Sequence, residues 1–352
     1  MPQLKVRIGC VVLAVIMSAV TYYFVEPRLR WGRYGGHKAA GLLSVMVVVG
    51  VAGYSVERHD GYTARMNDPD QAVIDAINQR LEDDHQRCLN EISDWDAASH
   101  WDMTKCRFQR SAGKNTIGVI GDSHAGHLYP GLITQTTEDE GIAVFPAECA
   151  IPLIGLRSRP NTVEWSQTEH ELSEGFSYIL RHTNISKVVL SHYPGCSWHE
   201  VIDTQNPGNH DFESILRDGF NRTYETLTNA GKEIYVVLDN PDLTEIWQKC
   251  MASVVHRPVG LPSFLTSKNA ICSIQSTNRL YAEANEYWSK IAHEYAKGYE
   301  NIHFIDMNQV FCTNGRCSPL DDKGSLLYMD PQHLSIKGSM YASSFIIKEL
   351  RK

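Results

Sequence analysis

The chain is 352 residues long, 43% of them hydrophobic, with a formal net charge of -8. That is enough apolar material for one large domain, or a medium one with appendages. No basic stripe interrupts the acidic balance, which excludes a phosphate-backbone binder and with it nucleic acid as a partner; neutral or polar small molecules and glycans are the expected partners.

Two uncharged apolar runs open the sequence, Ile8 to Val25 and Ala39 to Val56. Each has the length of a membrane-spanning helix, roughly 17 to 25 residues. A cleavable signal segment is shorter and is not followed by a second span. Arg28, Arg30, Arg33 and Lys38 crowd the connection between the runs, so the positive-inside rule holds that loop in the cytoplasm and sends everything after Val56 outside. Residues 1–57 therefore read as a transmembrane helical hairpin, 58–115 as an extracytoplasmic connector and 116–352 as the main domain. In the connector, Val73, Ile74, Ile77 and Leu81 stand at helical spacing, which predicts a helix over Pro69–Leu89 that docks by one apolar stripe.

From Thr116 onward, short runs rich in Val and Ile alternate with amphipathic stretches. Ile117–Ile120, Ile142–Phe145, Lys187–Leu190, Ile234–Leu238 and Ile302–Ile305 are too apolar for one-sided burial and read as parallel strands covered on both faces. Helices are predicted at about Gly126–Glu138, Ser166–His182, Phe212–Asn229, Thr277–Lys297 and Ile336–Leu350. The fold class is α/β, a doubly wound parallel sheet with its site at the carboxyl ends of the strands.

Nine cysteines are present. Cys10 lies alone in the first apolar run, and the other eight form an even set after the membrane region, as expected of an oxidising compartment. Sequence proximity suggests Cys88 with Cys106, Cys250 with Cys272, and Cys312 with Cys317 around Asn314-Gly315, leaving Cys149 and Cys196 for each other; other pairings stay open at this point. No CxxC or Cys/His cluster stands at ligand spacing, so neither a metal nor another cofactor is expected.

Two segments carry chemistry: Gly118-Val119-Ile120-Gly121-Asp122-Ser123-His124 and Asp330-Pro331-Gln332-His333-Leu334-Ser335. The first is a strand stopping at a glycine, which aims the Ser123 hydroxyl out of the turn toward a following helix. The second puts an acid three residues before a base, so that one loop can present both and the carboxylate can hold the imidazole's far nitrogen. The order Ser, Asp, His is that of several α/β hydrolase types. Asp122 is expected as an acceptor that stabilises the turn. His124 beside the serine, His192 after the third strand and Asn240 at the end of the fourth are candidates for substrate or oxyanion contacts. His127, His199 and His256 have no spacing argument, and Tyr193 and Trp198 are expected to pack within loops rather than stack on a sugar.

Gly121-Asp122-Ser123-His124 with Asp330-Pro331-Gln332-His333-Leu334-Ser335 resembles the first and last signature blocks of SGNH (GDSL-type) hydrolases. With the cysteines, it is similar more narrowly to the extracytoplasmic SGNH domain fused to bacterial acyltransferase-3 membrane proteins. Thr21-Tyr22-Tyr23-Phe24-Val25-Glu26-Pro27 is similar to the close of the last helix of the acyltransferase-3 domain. The resemblance implies an SGNH-hydrolase-like (flavodoxin-like) domain behind two transmembrane helices, in the bacterial inner membrane with the carboxyl-terminal domain in the periplasm. It implies Ser123 as nucleophile, His333 as general base and then acid, and Asp330 as its orienting carboxylate. It further implies O-acylation, usually O-acetylation, of a surface glycan such as lipopolysaccharide or peptidoglycan. Only the tail of the membrane domain is present, so the acyl-handling part is expected from another polypeptide or is lost by truncation. No Gly-x-Asn-Asp block follows the third strand, where the chain reads Ser191-His192-Tyr193-Pro194-Gly195-Cys196; the backbone N–H groups of Ser123 and His124 are the expected substitutes for its oxyanion donor. The alternatives are an SGNH-type esterase that removes O-acyl groups and a non-catalytic glycan-binding partner of a separate membrane acyltransferase.

Overall fold

The computed structural model describes residues 4–27, 35–58, 71–92, 102–109, 115–158, 163–196, 201–244, 279–314, 316–322 and 325–352, with Trp95, Trp247 and Cys250. The chain divides into two compact units, Met1–Val73 and Ile74–Lys352.

In the first unit, helix α1 (Leu4–Val20) continues into a π-helical turn over Thr21–Val25, and α2 runs from Gly35 to Arg58. Helix α2 has the length and apolar composition to cross a membrane, and the first run, Ile8 to Val25, lies within α1 and its π-helical continuation. No described residue of α2 is buried, so its Leu42, Val45 and Val47–Val49 side chains have no protein core to enter. The basic residues Arg28, Arg30 and Arg33 lie outside the described residues.

The second unit begins within helix α3 (Gln71–Glu91). It continues through the short edge strand β1 (Arg107–Phe108), β2 (Asn115–Gly121), α4 (Ser123–Gly126), α5 (Tyr129–Gln135), β3 (Glu140–Pro146), β4 (Leu156–Ser158), α6 (Val163–Arg181) and β5 (Ile185–Ser191). Then come β6 (Val201–Asp203), α7 (Phe212–Asn229), β7 (Glu233–Leu238), α8 (Arg279–Ala296), β8 (Ile302–Asp306), α9 (Asn308–Phe311), the β9–β10 hairpin (Cys312–Thr313, Arg316–Cys317) and α10 (Ile336–Leu350).

The main sheet has the order β1-β3-β2-β5-β7-β8. Its five long strands are parallel, and β1 is antiparallel on the edge. In chain order the parallel strands run second, first, third, fourth, fifth, the flavodoxin-like arrangement whose switch point falls between β2 and β5. Each central strand feeds two cores by alternation. Ile120, Val188, Leu190, Ile234 and Val236 meet Phe176, Phe220, Tyr224 and Trp288 of α6, α7 and α8 on one face. Val119, Val189, Tyr235 and Val237 meet Leu132, Ile133, Ile346 and Ile347 of α5 and α10 on the other. Burial on both faces is why these strands read as unbroken apolar runs.

All five expected strands are present, and α7 and α10 have their expected bounds. The helix expected over Gly126–Glu138 is instead two, α4 and α5, because Pro130 has no N–H to continue a preceding turn and sits at the start of a new helix. The first residues of the helix expected from Thr277 lie outside the described residues. Helix α3 joins both cores, Ile77 and Leu81 on one side of the sheet and Cys88 on the other. Its buried Asp84 accepts from Tyr129 OH at 2.8 Å and pairs with Arg87. Disulfides join Cys88–Cys106, Cys149–Cys196 and Cys312–Cys317. Cys250 is also disulfide-bonded; Cys272 lies outside the described residues.

Candidate active site

The turn that presents Ser123 is built by close approach. A Cβ on Gly121 would lie 1.7 Å from the Ser191 carbonyl oxygen at the end of β5, so only glycine lets β2 and β5 run side by side to this point. Asp122 then caps α4: its Oδ1 accepts the His124 N–H at 2.8 Å. Its Oδ2 accepts the Tyr193 N–H at 2.8 Å and faces His192 Nδ1 at 3.0 Å. One buried carboxylate thus ties the Ser123 turn to the loop after β5. Burial pushes the Asp122 carboxyl up, but the His192 hydrogen bond, the His192 and His124 charges and the Tyr193 N–H outweigh it and leave it below the usual range.

Ser123 follows with its Oγ 2.9 Å from His333 Nε2. His333 Nδ1 lies 2.7 Å from Asp330 Oδ2. Asp330 Oδ1 accepts the backbone N–H of Gln332 at 2.9 Å and of His333 at 2.8 Å. Burial raises the Asp330 pKa, and these bonds to the ionised form more than offset it, so it too lies below the usual range. Ser123 and His333 are buried, and Asp330 is the most exposed of the three, at 35% of its side chain.

The other sequence candidates have different surroundings. His124 is fully buried, its Nδ1 2.7 Å from Asp239 Oδ1, and its ring stacks on Tyr193 with centroids 4.9 Å apart. Its backbone N–H is committed to Asp122, which corrects the expectation that it serves an oxyanion. The Ser123 N–H, at the first helical position, has no acceptor within the helix. His192 braces Asp122 and packs on Trp288 at 4.9 Å. Asn240 Nδ2 donates to the Gln332 carbonyl at 2.9 Å and reaches Tyr328 OH at 3.4 Å; its amide steadies the loop that carries His333. His199, His256 and Trp198 lie outside the described residues.

Sequence reasoning picked out Asn240 but missed the rest of the loop after β7. Leu243 N donates to Pro331 O at 2.8 Å, Asp242 Oδ2 accepts from Tyr193 OH at 2.8 Å, and Pro241 O accepts from Tyr328 OH at 3.1 Å. Asp239-Asn240-Pro241-Asp242 immediately after a buried parallel strand was the available signal, since such ends carry sites. It also missed His127, whose Nδ1 faces the Leu334 N–H at 3.4 Å and whose ring lies 4.7 Å from His124 and 6.1 Å from His333. Burial and the two neighbouring imidazoles push its pKa well down, so it is neutral. The Cys149–Cys196 bridge joins the loops after β3 and β5, on either side of β2. Among the described residues no group of three His, Cys, Asp or Glu is arranged to hold a metal ion.

An arrangement of this kind, at the switch point of a doubly wound sheet, can prime a serine through an imidazole that a carboxylate orients. Among solved structures the chain is similar to the periplasmic domain of a lipopolysaccharide acetyltransferase of Salmonella ser. Paratyphi A, at 19% identity and TM-score 0.48, over 68% of this chain and 85% of that one. An acetyl xylan esterase, AlAXEase, matches at 13% identity and TM-score 0.37, over 66% of this chain and 100% of that one. The salicylyl-acyltransferase SsfX3 from a tetracycline biosynthetic pathway matches at 13% identity and TM-score 0.37, over 69% of this chain and 56% of that one. No protein of curated function matches the chain by sequence. The family profile described as an SGNH domain fused to AT3 domains matches residues 87–348, and the chain belongs to that family.

Proposed function

We propose that the second unit is a serine O-acyltransferase that places an acyl group, acetyl in the simplest case, on a hydroxyl of a cell-surface glycan such as lipopolysaccharide or peptidoglycan. The observation that carries this reading is the continuous hydrogen-bond chain from Ser123 Oγ through His333 to Asp330. The family's fusion to AT3 domains supports a membrane acyltransferase as the source of the acyl group. The apolar helix α2 and the disulfides support a membrane-anchored domain in an oxidising compartment, the periplasm.

Catalysis proceeds in two halves. Ser123 Oγ attacks the acyl carbonyl while His333 Nε2 takes the hydroxyl proton. Asp330 stays ionised and holds the ring by Nδ1–H, and the Ser123 N–H is available to the developing oxyanion. Collapse expels the donor's leaving group, which takes the proton from His333, and leaves an acyl-serine. A sugar hydroxyl then gives its proton to His333 and attacks the ester carbonyl; collapse returns the proton to Ser123 Oγ and releases the O-acyl sugar.

Trapping tests the reading. The full chain in detergent is incubated with an activated acetyl ester, with and without surface oligosaccharides, and both protein mass and products are followed. The expected result is an acetyl adduct on Ser123, absent in Ser123→Ala, that passes to sugar faster than to water. An adduct that drains to water regardless of sugar makes the chain an esterase. No adduct on a folded wild-type chain overturns the serine mechanism.

A further inference from the structure

Asp239 and His124 form a buried pair that the two half-reactions do not use. Asp239 directly follows β7 at the carboxyl end of the sheet, and His124 directly follows the nucleophile. They are 3% and 0% exposed, with Oδ1 and Nδ1 2.7 Å apart. The His124 ring is enclosed by Tyr193, His127 and His333, the last with its centroid 4.8 Å away. His124 Nε2 and Asp239 Oδ2 are buried without a hydrogen-bond partner. Leaving one polar atom of each residue unmatched is costly, and a well-packed apolar pair of similar volume is often as stable or more so. Core packing therefore does not account for this pair; its place beside the reacting atoms does.

We infer that Asp239 and His124 are positioning residues for the His333 base: Asp239 sets the ring plane of His124, and His124 is the wall that holds the His333 imidazole in line with Ser123 Oγ. The loop that Asp239 opens also grips the base loop from its backbone side, through Asn240 to Gln332 O and Leu243 to Pro331 O. The end of β7 thus constrains His333 twice, once through a ring and once through the main chain. The titratable groups facing His124 are Asp239 after β7, Tyr193 after β5, Asp122 and His127 from its own segment, and Asp330 and His333 from the base loop. Burial opposes charge on His124, and the adjacent Asp239 overrides it, holding its pKa above the ordinary histidine value. Asp239 thereby influences the charge beside the base as well as its orientation. The inference rests on the acyl-serine reading of the site.

The test compares wild type, Asp239→Asn, His124→Gln and the double variant, each as the full chain in detergent, for acylation of Ser123 by the activated ester across pH. Each single change is expected to lower the acylation rate about 100-fold at little-changed KM, the size of loss that a small misplacement of a reacting group produces. The acid limb of the pH profile should move, because each change removes an ionisable group from beside His333. The double variant should be no slower than the slower single, since residues acting as a unit are not additive. A cooperatively melting Asp239→Asn with a rate within about twofold of wild type and an unmoved profile, or additive losses in the double variant, overturns the inference. If Asp239→Asn does not fold, Asp239→Glu decides: recovery to within about tenfold of wild type supports the positioning role, and a folded Glu variant slower than that overturns it. If wild type itself forms no acyl-serine, the functional reading fails instead. The His333 imidazole titration, followed by NMR on histidine-labelled chains, then decides this inference by differing or not between wild type and the Asp239 variant.

Discussion

Asp330 grips His333 twice, with Oδ2 on the ring nitrogen Nδ1 at 2.7 Å and Oδ1 on the backbone N–H at 2.8 Å. The three-residue spacing makes this possible: one carboxylate closes the turn and orients the imidazole that the turn carries. Asp330→Asn keeps the shape but offers the ring a donor where it needs an acceptor, which favours the wrong tautomer. Steady-state kinetics should show kcat down about 1000- to 10,000-fold with a much smaller change in KM.

Asp122 belongs to the architecture of the turn. Its two oxygens serve the His124 N–H, the Tyr193 N–H and His192. Asp122→Ala removes a helix cap and leaves buried donors unmatched, which should cost about 3 kcal/mol. Urea denaturation should show a lower midpoint at an unchanged slope.

The acid side of the stability curve has two parts. His127 is held neutral by burial, so protonation as the pH falls below about 6.5 favours the unfolded chain. Asp122 and Asp330 have pKa values below the ordinary carboxylate range; their contribution is present above about pH 4 and is lost as the pH falls through their folded values. His124, whose pKa is raised, works the other way and adds stability as the pH falls through its folded value, so the two contributions are read by difference between wild type and variants in thermal melts across pH. His127→Gln is expected to flatten the upper part and Asp122→Asn the lower.

Cys149 and Cys196 are 47 positions apart in sequence. By loop entropy alone a crosslink of that length stabilises by about 4 kcal/mol, more than the Cys312–Cys317 bridge, whose separation is 5. Cys149→Ser/Cys196→Ser should lower the denaturation midpoint accordingly. Cys312→Ser/Cys317→Ser should lower it by less, in the same chemical denaturation assay.

What the sequence revealed was local or periodic. The interiors of β2, β3, β5, β7 and β8 were legible as Val- and Ile-rich runs because both faces are buried, and Ser123, Asp330 and His333 because each sits in a short fixed-spacing motif. The two-residue β1 was not, since its pairing with β3 comes from its neighbour rather than from its own pattern. Asp239 escaped notice for the same reason: its partner His124 is 115 positions away, and nothing near Asp239 announces the contact.

The Ser123–His333 bond spans 210 positions, and the base loop is followed by a helix that is itself pinned to the nucleophile's side of the sheet. Ser339 of α10 accepts from the Gly131 N–H at 2.8 Å and donates to Leu128 O at 3.0 Å. During synthesis Ser123 is made long before His333, the residue its hydroxyl meets in the folded unit. A chain that has not yet reached the base loop therefore carries Ser123 without the imidazole that faces it in the folded unit.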